Sequence, residues 1–241
     1  MTQTLKILSL MLSYPSYELK KEVGELRKTL NMDETLAANS KAAVEGLFKE
    51  METTNLLDLQ ENFVHLFDRT RALSLNLFEH VHGESRDRGQ AMVNLMSEYE
   101  KRGLNIDSNE LPDYLPVFLE FVSTLPDTEA QDYLSQVLPI ITALEVRLAK
   151  RKSAYKGVFQ ALISLVDIQP DEEQLSELLA VEVDDPDDKE AIDKLWEETE
   201  VAFGPSNDPN AGCPAVRETL AHMTEAQNAT TTTPVKEDAH G

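Results

Sequence analysis

The side chains of this 241-residue chain that could do chemistry crowd into residues 75–121. Phe78, Glu79, His80, Val81, His82, Gly83, Glu84, Ser85, Arg86, Asp87 and Arg88 run consecutively, too dense in acids, bases and imidazoles for an ordinary solvated helix face. His80, His82, Glu79 and Glu84 are all legitimate metal ligands. However, no HExxH or paired ExxH pattern is present, and His65 has the wrong spacing from Glu61 for a di-iron bundle. Histidines with structural or partner-contact roles are therefore the favoured reading. Ser85 beside Gly83 lacks the GxSxG elbow and reads as a helix cap. Neither GxGxxG nor GxxxxGK[ST] occurs, which leaves dinucleotide and P-loop sites without support. Arg86 and Arg88 have two open readings, surface pairs with Glu84 and Asp87, or planar guanidinium recognition of a carboxylate, phosphate or carbonyl-rich segment.

Charge and composition narrow the class of partner. The formal net charge is −22, which opposes a nucleic-acid backbone as ligand because phosphate binding needs a basic footprint. From residue 167 onward there are 20 acidic and 4 basic residues, so most of the acidity lies in the C-terminal third. Nine glycines, thinly spread β-branched residues and plentiful Leu, Ala, Glu and Lys favour helix. A single cysteine, Cys213, excludes an intrachain disulfide and suits a reducing compartment. The apolar N-terminal run is too short to span a bilayer and lacks a basic region with a cleavage site. The expectation is a cytoplasmic, all-α protein with no stable membrane insertion and no cofactor of its own.

Helical periodicity then supplies the elements that must position the cluster. Leu5, Leu8, Met11 and Leu12 predict a short buried helix that stops at Tyr14-Pro15. Residues 17–30 form an amphipathic helix; Asp33 is expected to cap a third, carrying Val44, Leu47, Phe48 and Met51, and Asn55 a fourth. The period fades over residues 70–85, predicting an extended or loosely helical connector. Ser85 then caps a helix with Met92, Leu95, Met96 and Tyr99 on one face, a Glu98–Arg102 pair, and Gly103 at its end. Asp113 is read as the N-cap of a helix with Pro116 in its first turn. Asp127 opens a long helix that Pro139 should kink or break, with Arg147, Lys150, Arg151 and Lys152 near its C-terminus. Residues 155–166 are strongly apolar. Leu175, Leu178 and Leu179 support a short helix, Ile192, Leu195 and Trp196 another, and residues 228–241 have a disordered composition. There is no fixed-period repeat.

The stretch LFEHVHGESRDRGQAMVNLMSEYEKRGL followed by ELPDYLPVFLEF resembles the NarJ/NarW family, the delta subunits of respiratory nitrate reductase, within the wider TorD/DmsD group of molybdoenzyme chaperones. The resemblance covers roughly the first 200 residues. It implies a single helical domain over residues 1–203; the remainder, 204–241, is not covered by the resemblance and is expected from composition to be an acidic, flexible tail. It also implies a chaperone, not an enzyme, that binds the N-terminus of the nitrate reductase catalytic (alpha) subunit and enables molybdenum-cofactor and iron–sulfur insertion before membrane attachment, without remaining in the final enzyme. The wider family's acidic, proline, aspartate, histidine signature falls on Glu110, Pro112, Asp113 and Tyr114, with tyrosine where histidine is usual.

The expected partner-binding residues are Phe78, Glu79, His80, His82, Glu84, Arg86, Arg88, Asp113 and Tyr114, with Met92, Tyr99, Leu115, Phe118 and Leu119 lining an apolar groove. The competing reading is a metal- or nucleotide-dependent hydrolase built on His80, His82, Glu84 and Asp113.

Overall fold

A computed structural model describes residues 1–82, 86–106 and 110–180, with the Arg86 side chain left out. Its helices are α1 (Thr2–Met11), α2 (Tyr17–Met32), α3 (Ala38–Thr53), α4 (Leu56–Phe67), α5 (Leu77–Val81), α6 (Arg86–Lys101), α7 (Leu115–Ser123), α8 (Asp127–Lys150), α9 (Lys156–Ile163) and α10 (Glu172–Ala180). A 3-10 turn at Arg71–Leu73 separates α4 from α5. Among the described residues the extended pairing is one antiparallel bridge, Asn76 with Tyr114. The described residues are all-α, as composition and periodicity imply. Ser85, Trp196 and the boundary at residue 203 lie outside the described residues.

Local signals placed several helix ends correctly. Asn55 caps α4 by accepting the Asp58 amide at 2.9 Å. Gly103 follows α6 with φ +74°, the left-handed conformation that costs glycine little. Pro116 occupies the first turn of α7, where its missing N–H breaks no helical bond.

Other expectations gave way to stronger tertiary partners. Asp33 does not start α3, whose N-cap is Ala37; it ends α2 and accepts the Thr4 hydroxyl at 2.6 Å and the Thr35 amide at 2.8 Å. Arg102 turns from Glu98 to Glu129 at 2.6 Å, while Glu98 pairs with Lys101. Pro139 does not break α8, which continues for 24 residues. Leu138, Ile140 and Ile141 around it are all buried, so core packing holds the helix across the missing hydrogen bond.

α1 packs along α7, α2 on α3, and α9 against both α3 and α8, while α10 lies on α8. Leu5, Leu8 and Met11 of α1 and its C-cap Leu12 join Leu115, Phe118, Leu119 and Val122 of α7 in one core. Ser9 Oγ ties the two helices by donating to the Pro116 carbonyl at 2.7 Å. At the contact of α3 with α9, a Cβ on Gly157 would sit 1.9 Å from the Ala43 carbonyl oxygen, so only glycine admits this approach.

Candidate functional site

The connector between α4 and α6 is pinned to the lead-in of α7 by a short set of hydrogen bonds. The Leu77 amide donates to the Asp113 carbonyl at 2.9 Å, and the Leu115 amide to the Leu75 carbonyl at 2.8 Å. Between these two bonds, Asp113 Oδ2 accepts the Phe78 amide at 3.0 Å. Asp113 is thus no cap for α7, whose N-cap is Tyr114 with no side-chain bond. Its carboxylate instead satisfies one of the orphan amides that open α5. At 0% exposure it cannot touch a partner directly. Burial raises its pKa, opposed by the Phe78 amide and the positive charge of Arg88. Tyr99 on α6 supports the same turn from beneath, its hydroxyl donating to the Pro112 carbonyl at 2.7 Å.

Around this turn the structure gathers most of the expected polar cluster. Arg88 Nη2 bonds Glu79 Oε1 at 3.0 Å, and Arg71 Nη2 bonds the Glu79 carbonyl at 3.1 Å. His80 Nε2 lies 2.8 Å from the Ser74 carbonyl, which selects the tautomer that carries a proton on Nε2. Burial lowers the His80 pKa; the Ser74 bond opposes this, and the nearby Arg147 cation reinforces it. His82 contacts the Phe78 ring at 5.8 Å, edge to face. Tyr114 is half-buried, and burial pushes its phenol pKa up, so it is a neutral hydrogen-bonding group at physiological pH.

Phe67, Asp68, Thr70, Arg71, Glu79, Arg88 and Tyr114, with Ser74, Leu75 and Asn76, enclose a polar cavity of about 380 Å³. Sequence reasoning missed Asp68, Thr70 and Arg71. Their signal was the charged run Asp68-Arg69-Thr70-Arg71 just past the last apolar position of α4. It missed Arg147 as well. This residue was read as a dipole-facing cation at the end of α8, but it is only 3% exposed. Its guanidinium bonds the Ala72 carbonyl at 2.7 Å and the Leu178 carbonyl of α10, and burial lowers its pKa.

The proposed apolar groove is not assembled as expected. Leu115, Phe118 and Leu119 on α7 belong to the core, packed towards α1 and α8, whereas the buried Tyr99 on α6 packs against Phe121 and, with Leu104, Ile106 and Val117, lines a separate cavity of about 530 Å³. Met92 is half-buried on α6. Glu84 and the side chain of Arg86 lie outside the described residues. The hydrolase reading has no support. Asp113 is fully buried and committed to the Phe78 amide, so it is not placed to act as a base or nucleophile on a substrate. Among the described residues no three of His, Cys, Asp and Glu are grouped to hold a metal ion.

A family model described as nitrate reductase delta subunit matches residues 18–161. The chain belongs to the nitrate reductase delta subunit family. Among curated members, the Escherichia coli K12 nitrate reductase molybdenum cofactor assembly chaperone NarJ is 41% identical over 199 residues, covering 83% of this chain and 84% of that one. NarW of the same strain, named for the same role, is 40% identical over 205 residues with the same coverage. In three dimensions, the delta-subunit chain matches a proposed redox enzyme maturation protein from Archaeoglobus fulgidus. The TM-score is 0.50 at 20% identity, over 68% of this chain and 92% of that one. That likeness shows a shared fold. The relatives bear the names of assembly chaperones, and the helical architecture agrees with the structural neighbour.

Proposed function

We propose that this chain is a molybdenum-cofactor assembly chaperone dedicated to a nitrate reductase, recognising the N-terminal segment of the catalytic subunit in the cytoplasm and holding it back from the membrane until cofactor and iron–sulfur insertion are complete. The observation that carries this reading is 41% identity to an assembly chaperone over 83% of the chain. The site adds physical support. Asp113, His80 and Glu79 hold hydrogen bonds that fix the connector, as suits a rigid recognition surface. Among the described residues no helix is long and apolar enough to cross a membrane.

The protein's excess of carboxylates favours a segment with basic residues beside its apolar anchors. Deleting the gene should abolish nitrate reductase maturation, and the tagged protein should retain the catalytic subunit only when its N-terminal segment is present. Full nitrate reductase activity in the deletion strain would overturn the reading. The purified membrane complex should lack this chain.

A further inference from the structure

The polar cavity beside Tyr114 has features that a groove for the body of a helix does not need. At about 380 Å³ it lies near the lower end of the ~300–1,000 Å³ range of small-ligand sites. A helix about 10–12 Å across cannot enter it, whereas the end of a chain can. Its lining is also incompletely satisfied. Thr70, only 3% exposed, has no hydrogen-bond partner at Oγ1, and Arg88 has none at Nε. A buried donor left unpaired costs free energy that a ligand acceptor would recover. At the cavity's solvent-exposed mouth stand two charges with no ion pair to any described residue: the Asp68 carboxylate at the end of α4 and the Arg71 guanidinium, which bonds a backbone carbonyl. Arg88 and Glu79 neutralise one another. The unused groups are thus one anion together with a set of donors.

We propose that this cavity captures the free amino terminus of the partner segment, with Asp68 receiving the α-ammonium group and Thr70, Arg71 and Arg88 donating to the first carbonyl oxygens. An ammonium next to a carbonyl is the one cation-plus-acceptor pair that every unblocked chain start carries, whatever its sequence. Phe67 and Leu75 give the cavity an apolar wall for the first side chain. Asp68 is solvent-exposed at the mouth of the cavity, open to an arriving ammonium, and its partial desolvation raises its pKa. The inference rests on the partner reading above, and it makes the chain end, not only the helix that follows, part of what is recognised.

The test is calorimetric titration of the full chain with the first fifteen or so residues of the catalytic subunit, once with a free amino terminus and once N-acetylated, against the parent protein and Asp68→Asn. Acetylation should weaken binding to the parent about tenfold, equivalent to about 1.4 kcal/mol. Asp68→Asn should weaken the free peptide by a similar factor and leave the acetylated one unchanged. Affinity for the free peptide should also fall as pH rises through ~8, where an α-amino group loses its proton. Equal affinity of the two peptides for the parent overturns the terminus inference and leaves the partner reading standing. Failure of both peptides to bind overturns the partner segment and this inference together.

Discussion

Asp113 accepts the Phe78 amide at 3.0 Å, so the first turn of α5 is capped by a carboxylate 35 positions further along the chain. The same residue's carbonyl takes the Leu77 amide, and the pair of bonds locks the connector onto the lead-in of α7.

Asp113→Asn should therefore keep the fold. The amide oxygen still accepts from Phe78, and the buried charge is gone. Asp113→Ala leaves the Phe78 amide without an acceptor and should cost about 1–3 kcal/mol. The pH dependence follows from the raised pKa. The folded carboxyl holds its proton to higher pH than the unfolded one, so the parent loses stability as pH rises from the ordinary value of 3.8 through the raised one. Asp113→Asn lacks that loss. Urea unfolding of the three proteins between pH 4 and 7 measures both effects, and an alanine variant as stable as the parent would refute the cap.

His80 titrates in the opposite sense. Its pKa is held below the ordinary 6.5, so the unfolded chain takes up a proton that the folded one refuses. Stability should be full above pH 6.5 and fall as pH drops below it towards the lowered value, by at most about 1.4 kcal/mol per pH unit. His80→Gln should flatten this segment of the stability curve. Parallel curves for parent and variant between pH 7 and 5.5 would show that His80 contributes nothing to it.

Arg147 joins two regions that share few other contacts, the 3-10 turn beside the polar cavity and the far end of α10. α10 has no fully buried residue; it lies on α8 through the half-buried Leu175 and Leu178 together with the tie from Arg147. Arg147→Ala strands the Ala72 carbonyl at a cost of about 1–3 kcal/mol. It should also make α10 the first site of cleavage in limited proteolysis. An unchanged cleavage pattern would show that α10 is held by its leucines alone.

Peptide binding should weaken as salt rises, because screening reduces attraction between exposed charges and leaves apolar contacts intact. Between 50 and 500 mM salt the loss should be less than about tenfold. Titrations across that range check it, and a partner segment that binds independently of salt, or prefers acidic residues, would contradict the charge argument.

These residues also show what a sequence can disclose. Asn55, Gly103 and Pro116 were readable because each acts on backbone within a few positions of itself. The polar cluster from Glu79 to Arg88 was readable by density alone. Asp113 was misread because a cap three positions ahead and an acceptor for an amide 35 positions back require the same residue type. Arg147 looked like any cation at a helix C-terminus, and nothing in its spacing announces that its partners are carbonyls 75 and 31 positions away. Phe118 and Leu119 carried an apolar face, but periodicity does not say whether such a face meets the core or a guest. Asp68 and Thr70 gain their meaning only from the cavity they line, one at its exposed mouth and the other buried in its wall.

The pairing of α1 with α7 bears on how the protein is made. Ser9 and Pro116, bonded at 2.7 Å, are 107 positions apart, and the helix synthesised first has its apolar face closed by one that emerges much later. At ~5–20 residues per second, the interval between them is roughly 5–20 s. Throughout it, Leu5, Leu8, Met11 and Leu12 lack the α7 surface that finally covers them. Until α7 emerges the nascent chain thus displays an uncovered amphipathic helix, and a vulnerability to aggregation lies there.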